Sequence, residues 1–346
     1  MKRALANARI ACFGCATFIA LGCTSAPAPG APPPATGGNG AVPRGSTDWP
    51  GGHSVTPPVH QAYPLVLAHG FSGFHNIGPL NYFYGVVDAL SKDGHTVFAT
   101  QVDPYNSSEV RGAQLQKQVE QILYSTGAEK VNLVCHSQGA LDCRFVANRL
   151  GKKIGAVVLV AGVNRGDYVA DVAAGVVKGP GGDAVAALLQ LFGSTVLDPN
   201  GQPNSDAKAA IAQLTTAGCE AFNAKYPDDP NVAYYSIAGR SNNSRGDDDC
   251  GSPTEAPFIG QWDQTTGPVN ALLSATNSIL NGSSPVPPTN DGLVTVASAK
   301  WGTFLGCVPA DHLAEVCQIG GQSSGSRYDC VTMYRAIADW LVARGF

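Results

Sequence analysis

Val131-Asn132-Leu133-Val134-Cys135-His136-Ser137-Gln138-Gly139 is an apolar run that stops at a His-Ser-Gln-Gly turn and passes into a helical pattern over residues 139–150. A short run of Val and Leu without alternation reads as a strand buried on both faces, as in a parallel sheet. A serine at such a strand-to-helix turn projects its hydroxyl past the strand end, beside the first amides of the helix, the geometry of a nucleophile elbow. Small residues must flank it, because the turn brings backbones together on both sides. Gly139 meets that need on one side, whereas Cys135 occupies the other, where glycine is usual.

Working outward, similar apolar runs occur at residues 64–68, 96–102, 156–161, 232–238 and 293–297, each bounded by Gly, Pro or polar residues. Helical patterns lie between them at 80–92, at 112–124 with Leu115, Val119, Ile122 and Leu123 on one side, and at 139–150. Alternating strands and helices predict an α/β fold built on an open, mostly parallel sheet with flanking helices. From Asp167 to about residue 225 the alternation stops and the pattern is helical, with apolar groups at Val169, Val172, Val176, Val185, Leu188, Leu189, Leu191 and Phe192; this predicts a helical cap over one end of the sheet. Residues 331–343 close the chain as an amphipathic helix carrying Tyr334, Ile337, Trp340 and Leu341.

The 346 residues hold 22 Lys and Arg against 26 Asp and Glu, a net charge of −4 with 14% charged residues, which excludes a nucleic-acid partner. Lys2, Arg3 and Arg9 followed by the apolar run 10–21 form the pattern of a signal peptide, residues 1–23. Its end, Ala20-Leu21-Gly22-Cys23, resembles a bacterial lipoprotein cleavage site that leaves Cys23 for lipidation, although Ala20 stands where Leu is expected. Residues 24–60 are rich in Pro, Ala, Gly and Ser and predict a disordered linker. The folded domain is then 61–346, with the cap at about 167–225, and the protein is expected to be secreted or tethered at the cell envelope. In an oxidising compartment its cysteines should pair. Seven remain after the signal region, at 135, 143, 219, 250, 307, 317 and 330, so at least one thiol stays free. Their spacings match no zinc pattern.

Serine at its ordinary pKa needs a base within hydrogen-bond reach, itself oriented by a carboxylate. The chain has seven histidines. His53 and His60 lie in or beside the linker, His69 and His136 sit in tight motifs, and His75 and His95 precede the cap. His312, late in Pro309-Ala310-Asp311-His312-Leu313, remains as the base. The acid should fall between Ser137 and His312; Asp291 in Asn290-Asp291-Gly292-Leu293-Val294 is the first candidate, with Asp263 and Asp311 as rivals. An acyl-transfer site also needs donors for a developing oxyanion. The strand 65–68 ends in His69-Gly70-Phe71, which offers the Phe71 amide opposite that of Gln138.

Taken together, Tyr63-Pro-Leu-Val-Leu-Ala-His-Gly-Phe-Ser-Gly, the Cys-His-Ser-Gln-Gly elbow, Arg165-Gly166, Asn290-Asp-Gly-Leu-Val and Asp311-His-Leu resemble the bacterial true lipases, the family I triacylglycerol lipases. The resemblance implies the α/β-hydrolase fold and a serine ester hydrolase that cleaves carboxylic esters through an acyl-serine, with Ser137 as nucleophile, His312 as base, Asp291 as acid, and Phe71 and Gln138 at the oxyanion hole. It implies an acyl-ester or lipid substrate, which Phe71, Phe74, Tyr82, Phe83 and the apolar cap would suit. No cofactor is expected, a monomer is, and the need for a dedicated foldase stays open.

Family members hold a structural calcium through two aspartates. Their positions here correspond to Ala314 and about Leu273, so no calcium of that type is expected. The family also ties its cap to the late loop by a disulfide, which implies a Cys250–Cys307 bridge. Cys317 and Cys330 flank the Gly/Ser-rich loop 320–326, a natural closure; with the first bridge it would brace the His312 loop. Cys135 and Cys143 are expected to be inert core thiols. Two other functions remain: a polyhydroxyalkanoate depolymerase using the same triad, and a non-catalytic lipid-binding surface lipoprotein.

Overall fold

The computed structural model describes residues 63–71, 73, 76–77, 80–177, 206–241, 250–251, 256–262, 266–318 and 328–346, all within the unit Thr56–Phe346. The signal sequence, Cys23, the linker, Phe74, His75, the cap positions from Val185 to Phe192, Asp263 and the loop 320–326 lie outside the described residues.

Six strands form one sheet in the order β4-β1-β5-β6-β7-β8, with every neighbouring pair parallel. They are β1 Leu65–Ala68, β4 Val97–Ala99, β5 Val131–His136, β6 Ile154–Val160, β7 Ala233–Gly239 and β8 Thr303–Val308. A two-residue antiparallel pair, β2 Asn76–Ile77 with β3 Leu80–Asn81, lies after β1. Parallel strands require crossovers, and the helices α1 Val86–Lys92, α2 Ser108–Thr126 and α3 Gly139–Leu150 provide them.

Side-chain alternation divides the core into two layers. Val66, Leu133, Cys135 and Leu159 face one side and pack with Leu115, Val119, Leu141 and Phe145 of α2 and α3. Leu65, Leu67, Val134 and Val158 face the other and pack with Val86 and Leu90 of α1 and with Tyr334, Ile337 and Leu341 of the C-terminal helix Cys330–Ala343. β5 and β6 are buried along their whole lengths, so they can be continuously apolar. In the expected cap region, the described helices are α4 Tyr168–Ala173, Ala207–Leu214 and Thr216–Lys225.

Three expectations need correction. Residues 293–297 form no strand: the Asp291 carboxylate accepts the Leu293 and Val294 amides, and Thr295 caps the short helix Val296–Ala299. The sheet takes its last strand ten residues later, at Thr303–Val308. The helix expected over 80–92 starts only at Val86, because Leu80 and Asn81 pair with β2. Cys135 and Cys143 are not separate thiols but a disulfide, because the elbow folds the first turns of α3 back over the end of β5 and brings their Cα atoms within 6.5 Å. Cys250–Cys307 and Cys317–Cys330 are also bonded, leaving Cys219 buried as the free thiol among the described residues.

Candidate active site

The elbow is backbone-strained at one residue. Ser137 has φ 57°, in the left-handed region that non-glycine residues enter at a cost of about 1–3 kcal/mol. Its amide donates to Val160 O at 3.1 Å, and its carbonyl accepts from the Ala140 amide at 3.0 Å. A Cβ on Gly139 would stand 2.7 Å from His69 O and 2.8 Å from Ala68 O, and one on Gly70 would stand 2.6 Å from Ser137 Cβ. The two motifs are therefore in direct contact: the loop after β1 lies against the elbow, and glycine at both positions lets it.

His312 reaches both partners. Its Nε2 is 2.9 Å from Ser137 Oγ, and its Nδ1 is 2.8 Å from Asp291 Oδ2. With Nδ1–H donating to the carboxylate, Nε2 is left to accept the serine proton. Asp291 is itself held by amide donors to Oδ1 from Leu293 (2.8 Å) and Val294 (2.6 Å), and the His312 amide donates to Asp291 O at 2.9 Å. Ser137, Asp291 and His312 are all buried. Of the rivals, Asp311 is spent on the backbone: its Oδ2 accepts from Asn270, and its Oδ1 accepts from Leu313 and Ala314.

Phe71 lines the same cleft as Ser137, and Gln138 follows the serine in the chain. Gln138 heads α3, where helix amides lack intrahelical acceptors, and its side-chain amide donates to Asn106 O at 2.8 Å. The Phe71 ring meets Tyr105 edge-on. Phe71, Val163, Ala170, Ile211, Leu214 and Leu293 line a narrow, partly open apolar cleft that includes Ser137, and Asp167 is its acidic lining residue among those described.

Two groups of residues escaped the sequence reading. Arg111 and Asp142 form a fully buried ion pair at 2.8 Å. The same guanidinium donates to His69 O (2.8 Å), Gly70 O (3.1 Å) and Asp103 O (2.7 Å), so it clamps the loop that carries Phe71. Its signal was present: Arg111 lies four residues before Leu115, on the same stripe as Val119 and Ile122. The second group runs behind the triad. Tyr82 OH is 2.7 Å from His136 Nδ1, and His136 Nε2 is 3.2 Å from Glu315 Oε2, which is 3.7 Å from His312 Nδ1. Burial, with the charges of Asp291 and Asp311, pushes the Glu315 carboxyl well above the usual carboxylate range. Burial and the neighbouring His312 hold His136 well below the usual imidazole range. Both shifts favour the uncharged forms, and a neutral His136 donates through one ring nitrogen and accepts through the other.

His136, His312 and Glu315 converge within 4.8 Å, yet all four ring nitrogens already have partners in the triad or in this chain. At the two positions where the resemblance would place calcium carboxylates, Ala314 and Leu273 are buried apolar side chains. The nearest acids there are Asp311, taken up by three amides, and Glu315, whose charged form burial disfavours. The donor set does not fit calcium, which needs several charged oxygens.

A model of the α/β hydrolase fold matches residues 63–178. A triacylglycerol lipase of Vibrio cholerae is 34% identical over 82% of this chain and 88% of its own length. The chain belongs to the bacterial lipases of the α/β-hydrolase superfamily. As a family member it is a carboxylic ester hydrolase of the lipase and esterase kind. A triacylglycerol lipase of Pseudomonas fragi is 40% identical over 49% of this chain and 59% of its own. Among solved structures, a metagenomic carboxyl esterase superposes with a TM-score of 0.56 at 21% identity, covering 86% of this chain and 81% of the esterase. A lipase of Bacillus licheniformis gives 0.54 at 20%, covering 77% and 91%. At these identities the two structures support the fold alone.

Proposed function

We propose that the protein is a serine ester hydrolase of the lipase type, acting on lipid esters such as triacylglycerol through an acyl-serine. The Ser137–His312–Asp291 hydrogen-bond chain, 2.9 and 2.8 Å, carries this reading. His312 Nε2 takes the Ser137 proton as Oγ attacks the ester carbonyl, and the Phe71 and Gln138 amides receive the negative oxygen. Asp291 stabilises the imidazolium that results. His312 then returns the proton to the departing alkoxide, leaving acyl-Ser137, and water activated by the same imidazole releases the acid. The apolar cleft suits an acyl chain. Residues 1–23 direct export in this account, and lipidation of Cys23 would tether the product to the cell envelope.

The test is hydrolysis of p-nitrophenyl butyrate and p-nitrophenyl palmitate by the full chain and by Ser137→Ala. Turnover by wild type alone supports the reading, and comparable palmitate turnover assigns a lipase. Turnover surviving in Ser137→Ala contradicts it. Mass spectrometry of the mature N-terminus, with Cys23 diacylated or not, separates tethering from secretion.

A further inference from the structure

Asp167 opens α4 and is 7% exposed. Its Oδ1 accepts the Val169 amide at 2.8 Å, and no donor among the described residues reaches Oδ2. The cap uses one carboxylate oxygen and leaves the other without a protein donor among the described residues. Asp167 also borders the cleft that contains Ser137. Burial pushes its pKa up to about 8, helped by the charges of Asp291 and Asp171. At neutral pH it is a carboxylic acid with a proton to donate and a lone pair to accept.

The cleft takes the acyl side of the ester. Its apolar lining beside Ser137 suits an acyl chain. A purely apolar acyl chain would strip water from the Asp167 carboxyl and return no hydrogen bond. A hydroxyl on that chain would replace the lost water, and sites built around such a bond discriminate strongly against the analogue that lacks it.

We propose that Asp167 is a specificity-determining residue that selects esters whose acyl chain carries a hydroxyl group, as in a hydroxyalkanoate, over plain acyl chains of the same length. The proposal rests on the ester-hydrolase reading above.

The experiment compares kcat/KM for p-nitrophenyl 3-hydroxybutyrate and p-nitrophenyl butyrate at pH 7, each divided by its rate of hydroxide hydrolysis. Wild type should prefer the hydroxy ester by about tenfold after this correction. Asp167→Ala, checked for folding by circular dichroism, should bring the ratio close to one. Asp167→Asn, which keeps the cap and a donor and acceptor, should retain most of the preference. A corrected ratio near one in wild type overturns the proposal whether or not the alanine variant folds, and so does a ratio unchanged in folded Asp167→Ala. If wild type hydrolyses neither ester, the ester-hydrolase reading fails and this proposal with it. Turnover of both without preference removes this proposal alone.

Discussion

Arg111→Ala should damage stability and catalysis by separable routes. The guanidinium is fully buried, pairs with Asp142 at 2.8 Å and donates to the carbonyls of His69, Gly70 and Asp103. Removing it leaves a buried carboxyl, already raised by burial, without its cation, a loss of about 3–5 kcal/mol. It also frees the loop carrying Phe71, and a misplacement of about 1 Å there costs about a hundredfold in kcat. Arg111→Met with Asp142→Leu distinguishes the two effects. An apolar replacement of a buried pair is often neutral for stability, so the double variant should unfold in urea near wild type while kcat on p-nitrophenyl butyrate stays down. Recovery of both would refute the view that Arg111 positions the oxyanion loop, and would reduce its role to neutralising Asp142.

Three further outcomes follow from the geometry. Cys135→Ala with Cys143→Ala removes the bridge across the elbow, separation 8, and should cost about 2–3 kcal/mol in urea unfolding; an unchanged midpoint would mean that the bridge does not constrain the chain. Gly70→Ala places a Cβ 2.6 Å from Ser137 Cβ and should lower kcat about a hundredfold with the circular dichroism spectrum preserved, so near-normal kcat would show that the loop has room to move. Asp167, raised to about 8 when folded against about 3.9 unfolded, keeps a proton that the unfolded chain releases, so its stability contribution is intact below about pH 4 and declines as pH rises toward 8. Relative to Asp167→Asn, wild-type stability should therefore fall by about 1.4 kcal/mol per pH unit between about pH 5 and 7, and a difference independent of pH would contradict the burial argument.

Much of the fold could be read from local pattern because its central strands are buried on both faces. β6 is an unbroken run of apolar residues and glycine, β5 departs from one only at Asn132 and His136, and helix 139–150 begins and ends where its pattern does. Local pattern is misleading where side chains rather than the backbone set the conformation. Leu293-Val294-Thr295-Val296-Ala297 has the composition of a strand, but Asp291 and Thr295 draw its amides into a turn and a helix. Thr303–Val308 is interrupted by Gly306 at φ 123° and pairs with β7 across a register shift, so its pattern is weak although its pairing is strong.

Ser137, Asp291 and His312, each in a short turn with its own signature, come within hydrogen-bond reach of one another in series. The groups that support them were not legible in the same way. Arg111 and Asp142, or Tyr82, His136 and Glu315, are far apart in sequence and join only through tertiary packing. A cysteine in a glycine position suggests crowding rather than the Cys135–Cys143 bridge, which forms because the elbow brings Cys135 onto a partner one helical turn past Gly139.

The central claim is that Ser137 becomes acylated with His312 as its base. Its most direct test is labelling of the full chain with a fluorophosphonate, followed by peptide mass spectrometry. A single adduct on the peptide containing Ser137, formed far more slowly in His312→Ala, is the predicted result. Active enzyme with no adduct, or with the adduct on another residue, would contradict the account.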